Sequence, residues 1–206
     1  RRAFERDPEA VQKWLEEEYP AIRAQAKKEK AQIYWGDEMG MRSDHQTGTT
    51  YGRKGETPVI PGTGQRFRCN MISAITNRGK LYFMVYRKGF STVVFTAFLR
   101  RLTRQIEGKL FLIVDGHPVH RSRAAKDWVA KQKGRLHLFF LPGYSPELNP
   151  DEVLNQDVKS NAVGRKRPHS QNEMVSTVRS FLRSRQKQPV KVKNYFQEKH
   201  VQYAAL

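Results

Sequence analysis

The run Leu110-Phe111-Leu112-Ile113-Val114 is the feature that most restricts the fold of this chain. Five consecutive apolar residues leave no face for water, so residues 109–114 read as a buried strand. Helical patterns stand on both sides of it. Phe95, Phe98, Leu99, Leu102 and Ile106 recur at helical spacing before the stop at Gly108. Ser122 to Lys133, closed by Gly134, follows, and Leu136 to Leu141 reads as the next strand. Strand and helix in alternation imply parallel pairing.

The upstream pattern is different. Residues 31–36 read as a strand. Phe67, Cys69, Met71, Ser73 and Ile75 alternate with Arg66, Arg68 and Asn70, as a half-buried strand requires. Asn77-Arg78-Gly79 is a turn, after which Leu81, Phe83 and Val85 share a face. Short turns between neighbouring strands predict an antiparallel meander. Residues 42–65, rich in Gly, Thr and Pro, read as an exposed hairpin or loop insertion. The expected fold is therefore α/β and ribonuclease H-like, an antiparallel meander followed by parallel strands in one mixed sheet with helices on both faces. We place this domain at residues 31–188. Asp7-Pro8-Glu9 starts a charged helix that Pro20 interrupts, and residues 1–30, with little apolar stripe, read as an arm or linker. A helix begins at Pro150, Ser170-Gln171-Asn172-Glu173 has capping-box form, and residues 189–206 read as a C-terminal tail.

Three acids stand out in this frame. Asp37 ends the run Ile33-Tyr34-Trp35-Gly36, Asp115 ends the buried strand, and Glu152 opens the helix at Pro150. Acids just past strands lie at the carboxyl edge, where open α/β sheets build their sites. Each also has a plain structural explanation. Asp115 precedes Gly116 in a common turn pair, Asp37 has Glu38 as a neighbour and competitor, and Asp151 and Glu152 both suit a helix start capped by Asn149. Glu152, Gln156 and Lys159 fall on one helix face, which a purely structural helix would more often make apolar. Three converging carboxylates repel one another, and a divalent cation relieves that repulsion. Mg²⁺, with Mn²⁺ as a substitute, suits such oxygen ligands, and two ions about 4 Å apart activate an attacking oxygen and steady a leaving one.

The remaining composition points to a polyanion. Lys and Arg number 38 against 20 acids in 206 residues, a net charge of +18. Such an excess, spread through a domain with a core, favours nucleic acid as partner. Cys69 is the only cysteine, which excludes an internal disulfide and a cysteine-based zinc site and fits a reducing cytoplasm. No apolar run approaches the length of a membrane span. His117 and His120 flank the second acid on a loop containing Pro118, and His120 either orients groups at the site or simply opens a helix.

Residues 113–120, Ile-Val-Asp-Gly-His-Pro-Val-His, followed by residues 141–152, Leu-Pro-Gly-Tyr-Ser-Pro-Glu-Leu-Asn-Pro-Asp-Glu, closely resemble DDE transposases of the mariner-type superfamily, bacterial insertion-sequence branch. Gly36-Asp37-Glu38 resembles the branch's first acid motif. The resemblance implies a ribonuclease H-like core with Asp37, Asp115 and Glu152 as catalytic Mg²⁺ ligands, and Glu38 and His120 as accessory candidates. It implies cleavage of DNA at inverted-repeat element ends, transfer of the freed 3′ end to target DNA, and a homodimer or larger assembly on DNA at the bacterial nucleoid. Members usually carry an N-terminal helix-turn-helix region, so this chain reads as the catalytic part of a longer protein. Members also often place a bulky aromatic after the third acid, where this chain has Val153, Leu154 and Asn155. Arg53, Lys54, Lys159, Arg165, Lys166 and Arg167 are the candidate DNA contacts, each equally readable as a solvated positive charge. The alternatives are a structure-specific nuclease on the same fold and a catalytically decayed DNA-binding derivative.

Overall fold

Hydrogen-bonded register, rather than the apolar runs alone, sets the length of each strand. The computed structural model describes residues 5–44, 51–56, 59, 64–163 and 168–205. Along the chain, α1 (Pro8–Lys13), a π-helical turn (Trp14–Glu18) and α2 (Tyr19–Glu29) lead into β1 (Gln32–Arg42), β2 (Arg68–Ile75) and β3 (Leu81–Tyr86). Then come α3 (Thr92–Gln105), β4 (Leu110–Val114), α4 (Arg123–Ala130) and β5 (Leu136–Phe140). Helix α5 (Pro150–Val158), a second π-helical turn (Lys159–Val163), α6 (Gln171–Gln186) and α7 (Pro189–Asn194) complete the regular elements described below.

The sheet order is β3-β2-β1-β4-β5. β1 and β2 pair antiparallel, as do β2 and β3, while β1 with β4 and β4 with β5 are parallel. This is the ribonuclease H-like arrangement expected from the order of patterns. Both faces are covered. Trp35, Met71, Phe111 and Ile113 pack with residues of α1, α2, α5 and α6 on one side. Tyr34, Ile72, Leu112 and Val114 pack under Phe95, Phe98 and Leu99 of α3 and Ala125 of α4 on the other.

Three expectations need correction. β1 does not end at Gly36. It continues to Arg42 because Trp35 to Arg42 pair residue by residue with Ile75 to Arg68. Glu38 and Gly40 look like loop residues, yet Met39 and Met41 alternate with them and are buried. Asp37 is thus a mid-strand residue.

Within the arm expected at residues 1–30, the described residues 5–30 pack against the domain instead. Val11, Trp14, Tyr19, Ile22 and Ala26 are all buried in the core of the α5 face. The π-helical turn explains why periodicity hid them. Its wider turn, with the Tyr19 N–H bonded to the Trp14 carbonyl, brings Trp14 and Tyr19 onto one face although five positions separate them. Pro20 falls where this turn passes into α2, so the helix continues through it. The C-terminal segment also packs inward. Phe196 meets the Trp35 ring edge-on at 5.2 Å, and Tyr203 meets Tyr19 at 4.8 Å.

The turn at Asn77-Arg78-Gly79 depends on glycine. Gly79 has φ 85°, and a Cβ there would lie 2.5 Å from the Pro189 carbonyl oxygen. Cys69 is fully buried, and burial pushes its thiol up to about 11.

Trp14 is 1% exposed. Trp14→Ala is expected to lower unfolding stability by about 3–5 kcal/mol, as large-to-small changes in packed cores do. Urea denaturation measures this; a loss below about 1 kcal/mol would show the helix only rests on the surface.

Candidate active site

The parallel register of β1 and β4 builds the centre of the site. Trp35 lies opposite Ile113. Asp37 and Asp115 are each two residues further along, so they sit level and on the face of the sheet that α5 covers. Helix α5 brings the third acid. The Asn149 side chain caps it by accepting from the Asp151 N–H at 3.1 Å, and the same side chain donates to the Gly36 carbonyl at 3.1 Å. The helix start carrying Glu152 is therefore fastened to β1 beside Asp37. Asp37, Asp115 and Glu152 line one cleft of ≈ 560 Å³, together with Gly116, Pro118 and the loop from Leu141 to Pro146.

The electrostatics of the acids differ. Asp37 is 8% exposed. Burial, and then the carboxylates of Glu152, Asp151, Glu38 and Asp115, push its pKa well above the ordinary aspartate value. One of its oxygens accepts from Asn155 Nδ2 at 2.8 Å. Asp151 is wholly buried, accepts from the Ser73 hydroxyl at 2.7 Å, and is pushed well up by burial. Asp115 sits at the solvent side. Burial would raise it, but the His120 ring and the His117 N–H hold it below the usual value.

His120 joins two acids. Its Nδ1 lies 2.8 Å from Asp115 Oδ1 and its Nε2 lies 3.4 Å from Glu38 Oε2. Phe90 and Phe95 pack against the fully buried ring at 5.4 and 4.6 Å. Burial alone would lower the imidazole pKa, but Asp115 and Glu38 outweigh it and push it up to about 9. Glu38, Asp115 and His120 place one ligand atom each within 4.8 Å of one another, the one such group of potential metal ligands among the described residues. Within that trio the two carboxylates favour the charged form of the imidazole. Four carboxylates surround Asp37, which accepts from the Asn155 side-chain amide and from the Glu38 backbone N–H at 2.9 Å, so acids crowd the α5 side of β1.

The sequence-derived candidates divide accordingly. Asp37, Asp115 and Glu152 converge on one cleft, while His120 contacts Asp115 behind it and Glu38 faces the other ring nitrogen of His120. Arg53 and Lys54 are exposed in a turn closed by the Glu56 N–H on the Arg53 carbonyl, and they do not line the cleft. Lys159 is half-buried just past α5 and also lies off the cleft. Arg165, Lys166 and Arg167 lie outside the described residues. Asn155, Ser73 and Tyr144 were not foreseen. Asn155 sits one helical turn beyond Asp151, a spacing that places both on the sheet-facing side of α5. Tyr144 is 64% exposed at the cleft wall with left-handed backbone, φ 53°.

A family model described as DDE superfamily endonuclease matches residues 32–175. This chain belongs to that family. β1, β4 and α5, and with them all three cleft acids of this DDE endonuclease, fall inside the match. A curated relative, the insertion element IS630 uncharacterized 39 kDa protein of Shigella sonnei, is 23% identical over 152 residues, covering 73% of this chain. The alignment spans 44% of that relative's length. Among solved structures, the catalytic domain of Mos1 mariner transposase superposes with TM-score 0.62 at 14% identity, covering 100% of this chain and 98% of that one. A Mos1 paired-end complex with Mg gives TM-score 0.66 at 14% identity, covering 97% of this chain and 64% of that one. These likenesses establish a shared fold.

The raised His120 pKa carries a pH signature. The folded state holds this proton up to about 9, whereas the unfolded imidazole releases it near 6.5. Its stabilisation is therefore complete below that lower value and is lost as pH rises through the interval. In metal-free buffer, urea-derived stability should fall across this window, and His120→Gln should flatten the profile. Parallel profiles for the two proteins would exclude the charged bridge.

Proposed function

We propose that this chain is the catalytic domain of a transposase that hydrolyses phosphodiester bonds at DNA element ends and joins the freed 3′ end to target DNA. The convergence of Asp37, Asp115 and Glu152 on one cleft, in a chain of net charge +18, carries the reading. Family membership supports nuclease chemistry, and the solved neighbours include transposase complexes described as paired-end and strand transfer complexes.

The donor set suits Mg²⁺ or Mn²⁺. All three cleft acids offer hard oxygens, and burial and neighbouring carboxylates dominate the surroundings of the raised Asp37. Asp37, Asp115 and Glu152 would hold the metal, as one or two ions, and the bound metal would polarise the scissile phosphate and activate the attacking oxygen. Asn155 holds one Asp37 oxygen in place, and His120 holds Asp115 from behind the cleft. Asn149 fixes the height of Glu152 by tying the helix start to Gly36. Asn155 thus gives a physical role to a position where this chain departs from the aromatic common in its branch, which weighs against the decayed reading. The basic surroundings would hold the DNA backbone over the acids, with two chains acting on paired ends in the bacterial cytoplasm. No helix among the described residues is long and apolar enough to cross a membrane.

The test is nicking of duplex DNA carrying element ends, in Mg²⁺ and in EDTA. Asp37→Asn, Asp115→Asn and Glu152→Gln should each lower the rate by about 10³-fold or more. Asn155→Ala should lower it by about 10–100-fold, as loss of a ligand's hydrogen-bond partner typically does. Wild-type rates in EDTA or in the acid variants would overturn the proposal.

A further inference from the structure

We propose that the open edge of β3, between α3 and α6, is a second binding site for the DNA phosphate backbone. The proposal takes DNA as the partner from the function argued above, but the site is a different one. β3 is one of the two edge strands of the sheet. Its middle residues form the floor of a groove of ≈ 310 Å³ whose walls are Arg101 and Gln105 of α3 and Arg179, Arg183 and Gln186 of α6. None of these residues lines the acid cleft.

The chemistry of the groove is one-sided. Arg101 and Gln105 stand four apart on one helix, and Arg179 and Arg183 stand four apart on the other, so each helix aims one face at the strand edge. No carboxylate lines the groove, and no ion pair joins any of the three arginines among the described residues. Several other arginines do have such partners. Arg185, on the same helix, is bonded to Asp157 at 2.6 Å, and Arg6 to Glu147 at 2.7 Å. Three guanidiniums that converge without a counter-charge repel one another, and each offers five N–H donors and no acceptor. A phosphodiester offers acceptors only and carries the missing charge, and the planar guanidinium fork suits it in a bidentate manner. In a chain of net charge +18, a continuous polyanion long enough to leave the cleft and reach the sheet edge is the occupant these donors fit.

A different role for the same residues is protection of the edge strand, since charged side chains on an edge discourage pairing with another chain. The experiment separates the two. Affinity of the full chain for a random-sequence duplex is measured by fluorescence anisotropy against salt concentration, in EDTA so that no cleavage occurs. The groove variant carries Arg101→Ala, Arg179→Ala and Arg183→Ala. A control carries Lys126→Ala, Lys131→Ala and Lys133→Ala, which removes the same charge at or just beyond α4.

Each lost phosphate contact lowers the slope of log K against log salt by about 0.9, so the groove variant should lose about 2–3 units and the control less than about 1. Single Arg179→Gln and Arg183→Gln variants, each expected to lose about one unit, serve if the triple variant does not fold. Equal slopes for the groove variant and the control would overturn the proposal. So would an unchanged slope with new aggregation by light scattering, which would assign edge protection, or displacement of the duplex by polyglutamate at lower charge concentration than by unlabelled duplex. Because the assay needs no metal, absent nicking with a changed slope removes the catalytic reading alone. Normal nicking with an unchanged slope removes the groove alone.

Discussion

Gathering negative charge inside a protein is unfavourable, and this fold is arranged so that it happens in one place. Parallel pairing of β1 with β4 sets Asp37 level with Asp115, and the cap of α5 brings Glu152 to the same height. No single contact could hold three carboxylates together against their repulsion. The sheet ladders on both sides of β1, the apolar cores on both faces and the polar ties from α5 to β1 and β2 do so jointly.

The repulsion is managed unevenly, and the unevenness is informative. Asp115 and Glu38 flank the His120 imidazole, which packs against aromatic rings on the α3 side of the sheet and whose charged form they favour. Asp151, deepest of all, is held by a serine hydroxyl and pushed toward its neutral form. Asp37 receives a neutral amide, which orients its carboxylate without cancelling the charge. A site so built keeps one acid positioned but electrostatically unsatisfied, which is the condition in which an external cation binds with most effect.

Much of this was legible in the sequence because the relevant signals are local. The five-residue apolar run, the Asn77-Arg78-Gly79 turn and the Asn149-Pro150 helix start each report on a few neighbouring residues, and the structure keeps all of them. The misreadings came where long-range contacts decide. Nothing local distinguishes Glu38-Met39-Gly40-Met41 from a loop until β2 pairs with it. The buried stripe of the first helix was disguised by a π-helical turn that breaks the usual period. Asn155 lies far from Asp37 in the chain, and only the packing of α5 on β1 brings them together, so a residue that looked like a departure from pattern becomes part of the site.

The same logic separates the cleft from the rest of the basic surface. Strongly positive chains attract polyanions everywhere, and charge alone does not define a site. Convergence from different elements onto one strand does, as with the acids on β1 and the arginines on the β3 edge. The proposed chemistry requires the cleft acids to act as a unit toward a cation. Titration of the metal-free protein with Mn²⁺, followed by electron paramagnetic resonance of the free ion, tests this directly. Saturable binding by the wild type, weakened about tenfold or more in Asp37→Asn, Asp115→Asn and Glu152→Gln alike, is the predicted result. Binding of equal strength in the wild type and all three variants would contradict it.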